Sequence, residues 1–337
     1  MPHPLVTVVI PTLNGGESLA RCLACLQLQS FNDFEIVIVD NSGSGVAAAF
    51  RRPATVQVIE NRENVGFGAA VNQAAEKSQA AYIATLNDDA YPQPDWLAAL
   101  AEACRNDPAV GMCASRIRLA NDPRRLDSAG LGIYPDGTTK QRGHGAPAEA
   151  YERAEDVLLP SGCAALFRRA MLDQVGGFDA DYFLYGEESD LGLRARHAGW
   201  RCVYAPEAVV DHDYSKSAGR ATRLKAYYVE RNRLFTVIKD FPALLWPLVP
   251  CYSLWRYAHH ALAALSGRGL ASEFEQGGES AWRLAGIVVS AHWGAFKALP
   301  RLLRKRRVIR RRTTLGAFAF CKLMRRHAIS AAEITSQ

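Results

Sequence analysis

The sequence predicts an α/β fold: a mostly parallel sheet with helices on both faces, followed by a helical, basic C-terminal region. Three observations carry this. Short runs rich in Val and Ile alternate with amphipathic stretches of helix length over the first 120 residues. The runs are apolar throughout, as strands covered on both faces must be. Thirteen of the forty Lys and Arg residues, but none of the thirty-four acids, fall within residues 280–332, so a basic tail follows a net-acidic body.

Taken in order, "LVTVVIPTLN" (5–14) is an apolar run of strand length that ends in Pro-Thr. "ESLARCLACLQLQ" then places Leu19, Leu23 and Leu26 on one helical face. "FEIVIVDNSGSG" is a second buried strand running into a Gly/Ser turn, and "VQVIEN" a third. "NVGFGAAVNQAAEKS" is a Gly-rich turn opening a helix, "AAYIATLNDD" a fourth strand, and "DWLAALAEACRND" a helix. Parallel sheets of this kind bind ligands at the carboxyl ends of their strands. Asn14, Asp40, Asn64 and Asn87–Asp89 all fall at those ends. That coincidence points to a site.

Residues 120–156 are polar and rich in Gly and Pro, and read as a long excursion over the sheet edge. Order is expected to resume at "VLLPSGCAALFRRAML" and to continue through "GGFDADYFLYGEESDLGLRARHAGW" and the strand-like "RCVYAPEAVVDHDY". Stretch 241–265 nearly reaches the length of a membrane-spanning helix, but Pro242, Pro247, Pro250, Arg256, His259 and His260 interrupt it. A helix lying in the interface fits better, with "RLLRKRRVIRRR" (301–312) attracted to anionic lipid. Packing of these helices on the body or on a partner subunit is the plainer alternative. No nucleic-acid recognition motif accompanies the charge, so no nucleic-acid partner is expected. Met1–Pro4 shows no leader pattern, and the eight scattered cysteines do not resemble a secreted framework. A reducing, cytoplasmic setting is the expectation.

The motifs exclude several chemistries. No G-x-G-x-x-G follows the first strand, and neither a P-loop nor G-x-S-x-G occurs. The strand ends offer carboxylates and amides, which suit ribose hydroxyls, base edges and a hard cation.

The ordered set "VVIPTLNGG", "IVIVDNSGSG", "ENVGFGAAVN", "LNDDA", "SGCAALFRR", "GGFDADYFLYGEESDLGLRARHAGWR" and "VVDHDYSKS" resembles glycosyltransferase family 2. These are inverting enzymes of GT-A fold that use nucleotide-diphosphate sugars, and the likeness is greatest to the bacterial rhamnosyltransferase-like branch. It runs from about Val6 to Phe241. It implies a catalytic domain over 1–240, with a nucleotide-binding half of about 1–120 and an acceptor-binding half of about 121–240. A C-terminal amphipathic, basic region over 241–337 follows.

The resemblance implies roles by position. Pro11, Thr12 and Asn14 line the nucleotide pocket. Asp40 accepts hydrogen bonds from base or ribose, unless it merely forms the turn. Asn64, Gly66 and Asn72 lie near base and sugar, although Asn64 could initiate a turn and Asn72 be a satisfied helix residue. "NDD" corresponds to the family's D-x-D motif, with Asn87 where the first acid often stands, Asp88 at the ribose and Asp89 on the metal. His212 matches the second metal ligand, with Asp211 and Asp213 as its flanking orienters. Mn2+ or Mg2+ suits such a site. In place of the usual Glu-Asp-x-Asp, this chain has Glu187-Glu188-Ser189-Asp190. Glu188 stands at the position of the general base, with Glu187 next and Asp190 structural or acceptor-binding. The bland reading of these acids is charge complementarity at a helix N-terminus.

The function implied is transfer of a sugar, rhamnose favoured, from a dTDP- or UDP-linked donor. The acceptor is a glycan or lipid-linked hydroxyl in surface-polysaccharide synthesis, at the cytoplasmic face of the membrane with peripheral contact through 241–312. Tyr227, Tyr228 and Arg231 of "AYYVERNRLF" contact such an acceptor or simply pack. A nucleotidyltransferase and a non-catalytic sugar-nucleotide-binding or assembly protein are the alternatives.

Overall fold

The computed structural model describes residues 3–50, 56–213, 222–265 and 281–335. The chain forms two compact units. One comprises Met1–Leu131, Gln141–Phe183 and Trp200–Ser217; the other comprises Gly132–Lys140, Leu184–Gly199 and Ala218–Gln337.

The first unit is built on a sheet of ten strands among the described residues. In chain order its elements begin with β1 (Val6–Thr12), α1 (Gly16–Gln27), β2 (Phe34–Asp40), β3 (Val56–Glu60), α2 (Phe67–Lys77), β4 (Tyr82–Leu86), β5 (Ala90–Pro92) and α3 (Trp96–Arg105). They continue with β6 (Val110–Leu119) and β7 (Asp122–Ser128), then, after β8 (Leu131–Ile133) and β9 (Thr139–Gln141), which form a separate two-stranded sheet and fall largely in the second unit, with β10 (Glu155–Asp156), β11 (Ala164–Arg168) and α4 (Arg169–Val175). After α5 (Glu187–His197), in the second unit, the chain returns as β12 (Arg201–His212). The main path runs β10-β12-β6-β11-β4-β1-β2-β3, with β5 on β12 and β7 on β6.

The four strands of the amino-terminal half pair in parallel, and the runs of β1, β2 and β4 are mostly buried, as a sheet covered on both faces expects. β11 then runs antiparallel between β4 and β6, so the sheet is mixed beyond that point. Val8, Ile10, Ile38, Ala84 and Leu86 on the strands pack with Leu19, Leu23 and Leu26 of α1 and with Trp96, Leu97 and Leu100 of α3 in one core. The parallel register sets Thr12 beside Asp40, so the carboxyl ends of β1 and β2 finish level.

One expectation needs correction, and one covalent link was not foreseen. Residues 120–156 are not a loop excursion: Asp122–Ser128 is a strand paired with β6, and Leu126, Asp127 and Ser128 are buried. Its polar residues Arg124 and Arg125 face solvent while its last three turn inward, a division that composition averaged over the stretch conceals. The cysteines, moreover, are not all free. Cys104 of α3 and Cys113 of β6 form a disulfide with Cα atoms 6.5 Å apart, while Cys22 and Cys25 remain thiols.

The second unit carries α5 and then α6 (Arg223–Asp240), α7 (Val249–Leu265), α8 (Ala281–Arg312), α9 (Ala317–Arg326) and α10 (Ala331–Thr335). Long helix α8 lies along α6. One cluster of buried charges in this unit is fully paired, as a water-poor interior favours. Arg256 donates to Asp136 (2.7 Å) and to Glu230 (2.9 Å), and Glu230 also accepts from Arg233 and from the Tyr257 hydroxyl (2.6 Å). Burial alone would raise the Glu230 pKa, but the two guanidinium groups outweigh it and bring it to about 2.

Gly66 opens α2 with φ +86°, and a Cβ there would sit 2.2 Å from the Phe183 carbonyl oxygen. Substitution is therefore strained twice over, in the dihedral and against backbone that cannot yield. Gly66→Ala is expected to lower unfolding free energy by more than about 1 kcal/mol, read from urea denaturation of the full chain.

Candidate functional site

Several predicted strand-end groups turn inward to shape loops. Asp40, 1% exposed, accepts from the backbone N–H of Ser42 (2.9 Å) and of Ala47 (2.7 Å), and so folds the turn after β2. The Asn64 side chain accepts from the Gly66 N–H at 2.9 Å. Asn72 donates to the Phe178 carbonyl (2.7 Å) and accepts from its N–H (2.9 Å), pinning that loop to α2. In these three cases the structure displays the structural alternative. Physically, a polar side chain beside an irregular backbone is the nearest partner for its orphaned groups.

Thr12 and Asp88 instead meet each other. The buried Thr12 hydroxyl donates to Asp88 (2.5 Å) and accepts from the Gly15 N–H (3.0 Å). Burial raises the Asp88 pKa to about 6, against the opposing Thr12 bond. Pro11 is half-buried, Asn14 is exposed and Asn87 half-buried, on the same strand ends.

Asp89 does not cap the following helix, whose N-cap is Asp95. It is 4% exposed, and its Oδ1 lies 3.3 Å from His212 Nε2. Strand pairing delivers this encounter: β12 runs antiparallel to β5 with His212 opposite Ala90, and the Asp213 N–H donates to the Asp89 carbonyl at 3.0 Å. The other ring nitrogen, Nδ1, lies 2.8 Å from Asp127 Oδ2. Burial would lower the His212 pKa, but Cys163, Asp127 and Asp89 together hold it well above the ordinary imidazole value. Asp127 is likewise buried, yet bonds to His144 (3.1 Å) and His212 keep its pKa low.

The orienter of His212 is thus Asp127, not the flanking acids. Asp211 pairs with Arg118 (2.8 Å), and Asp213 accepts from the Tyr91 hydroxyl (2.9 Å). Because strand residues alternate in direction, neighbours of a buried histidine point away from it. Asp127 and Cys163 went unrecognised in the sequence. A lone acid after "RRL" carries no signal until β7 is known to be a strand.

In the second unit, α5 begins after Tyr185 and Gly186, both at positive φ (65° and 86°). Glu187 is 5% exposed, and its Oε2 has no hydrogen-bond partner among the described residues. Its pKa is well raised by burial and then by Glu188. The half-buried Glu188 is raised by burial too, with the backbone N–H groups of Glu188 and Gly186 opposing. Asp190 is fully buried and pairs with Arg194 (2.8 Å) and Lys239. These two ion pairs are what its structural reading expects. Tyr214–Ser217 of the "VVDHDYSKS" motif lie outside the described residues.

Apolar parallel strands thus end in a Thr–Asp contact and a buried carboxylate–imidazole pair. The glycosyl transferase family 2 model matches residues 7–176, and the chain belongs to that family. N-acetylglucosaminyl-diphospho-decaprenol L-rhamnosyltransferase of Mycobacterium tuberculosis is 32% identical over 253 residues, covering 66% of this chain and 81% of the relative. The pre-mycofactocin glycosyltransferase of the same organism is 26% identical over 308 residues, 87% of this chain and 63% of the relative.

Among solved structures, GalNAc-T7 with UDP, GalNAc and Mn2+ aligns with TM-score 0.58 at 15% identity, over 70% of this chain and 48% of that one. A Pyrobaculum calidifontis mannosyltransferase with GDP-Man and Mn2+ aligns with TM-score 0.54 at 21% identity, over 89% and 88%. These two likenesses establish the GT-A fold. The protein is a glycosyltransferase of rhamnosyltransferase-like type, and the nucleotidyltransferase alternative falls.

Asp88 generates a pH prediction. Its carboxyl keeps its proton to about pH 6 when folded, against an ordinary value of 3.8. The folded chain therefore binds the extra proton, and stability falls as pH rises from 4 to 6. Asp88→Asn is expected to flatten that stretch of the curve, measured by denaturant unfolding at stepped pH.

Proposed function

We propose that the enzyme transfers a sugar, with rhamnose the first choice, from a dTDP- or UDP-linked donor to a hydroxyl of a glycan or lipid-linked acceptor in surface-polysaccharide synthesis. The name of the 32% identical relative supports the sugar and the acceptor class. The observation that carries the chemistry is the Asp89–His212 pair, held from behind by Asp127.

That pair is a suitable donor set for a divalent cation: one hard carboxylate oxygen and one imidazole nitrogen, on a ring whose other nitrogen is occupied. The described residues hold no group of three such ligands, so diphosphate oxygens and water complete the shell in this reading. Bound there, Mn2+ or Mg2+ supplies positive charge to the departing diphosphate. Thr12 and Asp88, with Pro11, Asn14 and Asn87 beside them, bind the nucleoside. Asp40, Asn64, Gly66 and Asn72 build the loops around it.

Inverting transfer is a single displacement, in which the acceptor hydroxyl attacks the anomeric carbon and loses its proton to a carboxylate. Glu188 takes that role, because it is only half-buried whereas Glu187 is 5% exposed. Residues 1–240 form the catalytic domain and 241–337 the membrane-facing region.

Contact with the membrane is peripheral. No helix among the described residues is long and apolar enough to cross a bilayer. Leu254, Trp255 and Leu262 of α7 and Val289, Trp293 and Phe296 of α8 are nevertheless more than half exposed. Such apolar faces beside the basic end of α8 suit an anionic bilayer surface.

Four measurements test this reading. Donor hydrolysis should depend on Mn2+ in the wild type and be lost in Asp89→Ala; Mn2+-independent turnover in both proteins sinks the metal assignment. Asp127→Asn should weaken Mn2+ binding about 10- to 100-fold by calorimetry, through the loss of ring orientation. Glu188→Gln should abolish transfer with donor affinity kept, whereas retained turnover moves the base to Glu187. In the wild type, kcat/KM should rise with pH along a limb lying above the ordinary Glu value of 4.5, since the base must first ionise.

A further inference from the structure

Helices α6 and α8 line an open pocket of about 290 Å3 within the second unit. Tyr227, Arg231 and Phe235 line it from α6, and Gly294, Lys297 and Arg301 from α8. Three cations are among its lining residues. Its size is near the lower bound for small-ligand sites, about 300 Å3, which suits a headgroup rather than a whole lipid.

The lining is built in two parts. Arg231 is held in place: its Nε and one terminal nitrogen donate to Asn232 Oδ1 (2.9 and 2.7 Å), and its Cζ lies 4.6 Å from the centroid of the Tyr228 ring and 4.8 Å from that of Phe235. A guanidinium fixed in this way is suited to a phosphate. Gly294 supplies the opening. A glycine inside a 32-residue helix costs helix stability relative to alanine. Here a Cβ would stand 2.7 Å from the Tyr227 hydroxyl, so the missing methyl leaves room for that ring. Aromatic walls next to a cationic mouth match a phosphate ester that carries an apolar chain.

We propose that this pocket binds the diphosphate of a lipid-linked acceptor through Arg231, Lys297 and Arg301, with its first isoprenoid carbons on Tyr227 and Phe235. The identity of the ligand as acceptor rests on the glycosyl-transfer reading above. Asn232 gives the site a consequence. Its Nδ2 donates to the carbonyls of Leu184 (2.8 Å) and Tyr185 (2.6 Å), just ahead of Glu187 and Glu188. The anion-binding arginine and the start of the base-bearing helix therefore share one anchor.

The test uses the full chain, with farnesyl diphosphate, inorganic pyrophosphate and phosphatidylglycerol vesicles as probes. Two variants are compared with the wild type: Lys297→Gln combined with Arg301→Gln, on the exposed side of α8, and Gly294→Ala, which alanine's helix preference protects from unfolding. Farnesyl diphosphate should bind the wild type more tightly than pyrophosphate, and each variant should lose about tenfold or more in Kd. The KM for a polyprenyl-diphosphate acceptor should rise by a similar factor. Equal farnesyl diphosphate affinity in wild type and both variants overturns the proposal. So does equal affinity of the wild type for pyrophosphate, which would make the site a free-phosphate site. Loss of vesicle flotation with farnesyl diphosphate binding intact would reassign the cations to the bilayer headgroups. Binding that the variants lose, in a protein that transfers no sugar from any nucleotide donor, would overturn the glycosyl-transfer reading and the acceptor identity, while leaving a lipid-phosphate site.

Discussion

The register of β12 is the constraint on which the candidate site depends. His212 is useful only while it faces Asp89 on one side and Asp127 on the other, and those two acids come from separate segments of chain. Pairing of β12 with β5 and with β6 sets the position of His212 along the sheet. A slip of one residue would turn His212 outward and bury Asp211 or Asp213 in its place. The register is pinned by bonds on both sides of the histidine: Arg118 on Asp211, Tyr91 on Asp213, and the Asp213 N–H on the Asp89 carbonyl. An irregularity between Ala205 and Val209, at Pro206, shifts the strand before it reaches the site. Pro in a strand is tolerated at such breaks, where no ladder bond is lost.

Burying an imidazole with two carboxylates is expensive unless each group is satisfied, because low dielectric magnifies an unpaired charge. The protein meets this with a chain of contacts, His144 to Asp127 to His212 to Asp89. The second unit follows a different rule at each of its acids. Asp190, Glu230 and Asp136 are matched by Lys and Arg and serve stability. Glu187 keeps a buried oxygen without a hydrogen-bond partner among the described residues. Both carboxylate oxygens of Asp240 share that condition, and burial raises the pKa of each of these two acids.

Much of the fold was legible in the residues. Unbroken apolar runs at Val6–Thr12, Phe34–Asp40 and Tyr82–Leu86 announced parallel strands, and the spacing of Leu19, Leu23 and Leu26 announced α1. Less of the site was legible. Asp89 and His212 were picked out by motif, and the structure brings them together. Asp40 and Asn72 were picked out by the same means, yet their side chains hold loops. A motif records which residue type stands at a position, and a loop-shaping role and a ligand-binding role can require the same amide or carboxylate. β7 was missed because only its last three residues are buried.

The sequence by itself determined the fold class, the family and the edge of the sheet where the polar groups gather. These follow from local hydrophobic period and from ordered short motifs, which the chain displays before it folds. Only the tertiary structure decided that Asp127 orients His212, that Asp190 is matched by Lys239 and Arg194, and that Arg231 meets Lys297 and Arg301 around one pocket. Each of those facts joins residues far apart in the chain through strand register or helix packing. Distance of that kind leaves no periodicity or spacing in the sequence to read.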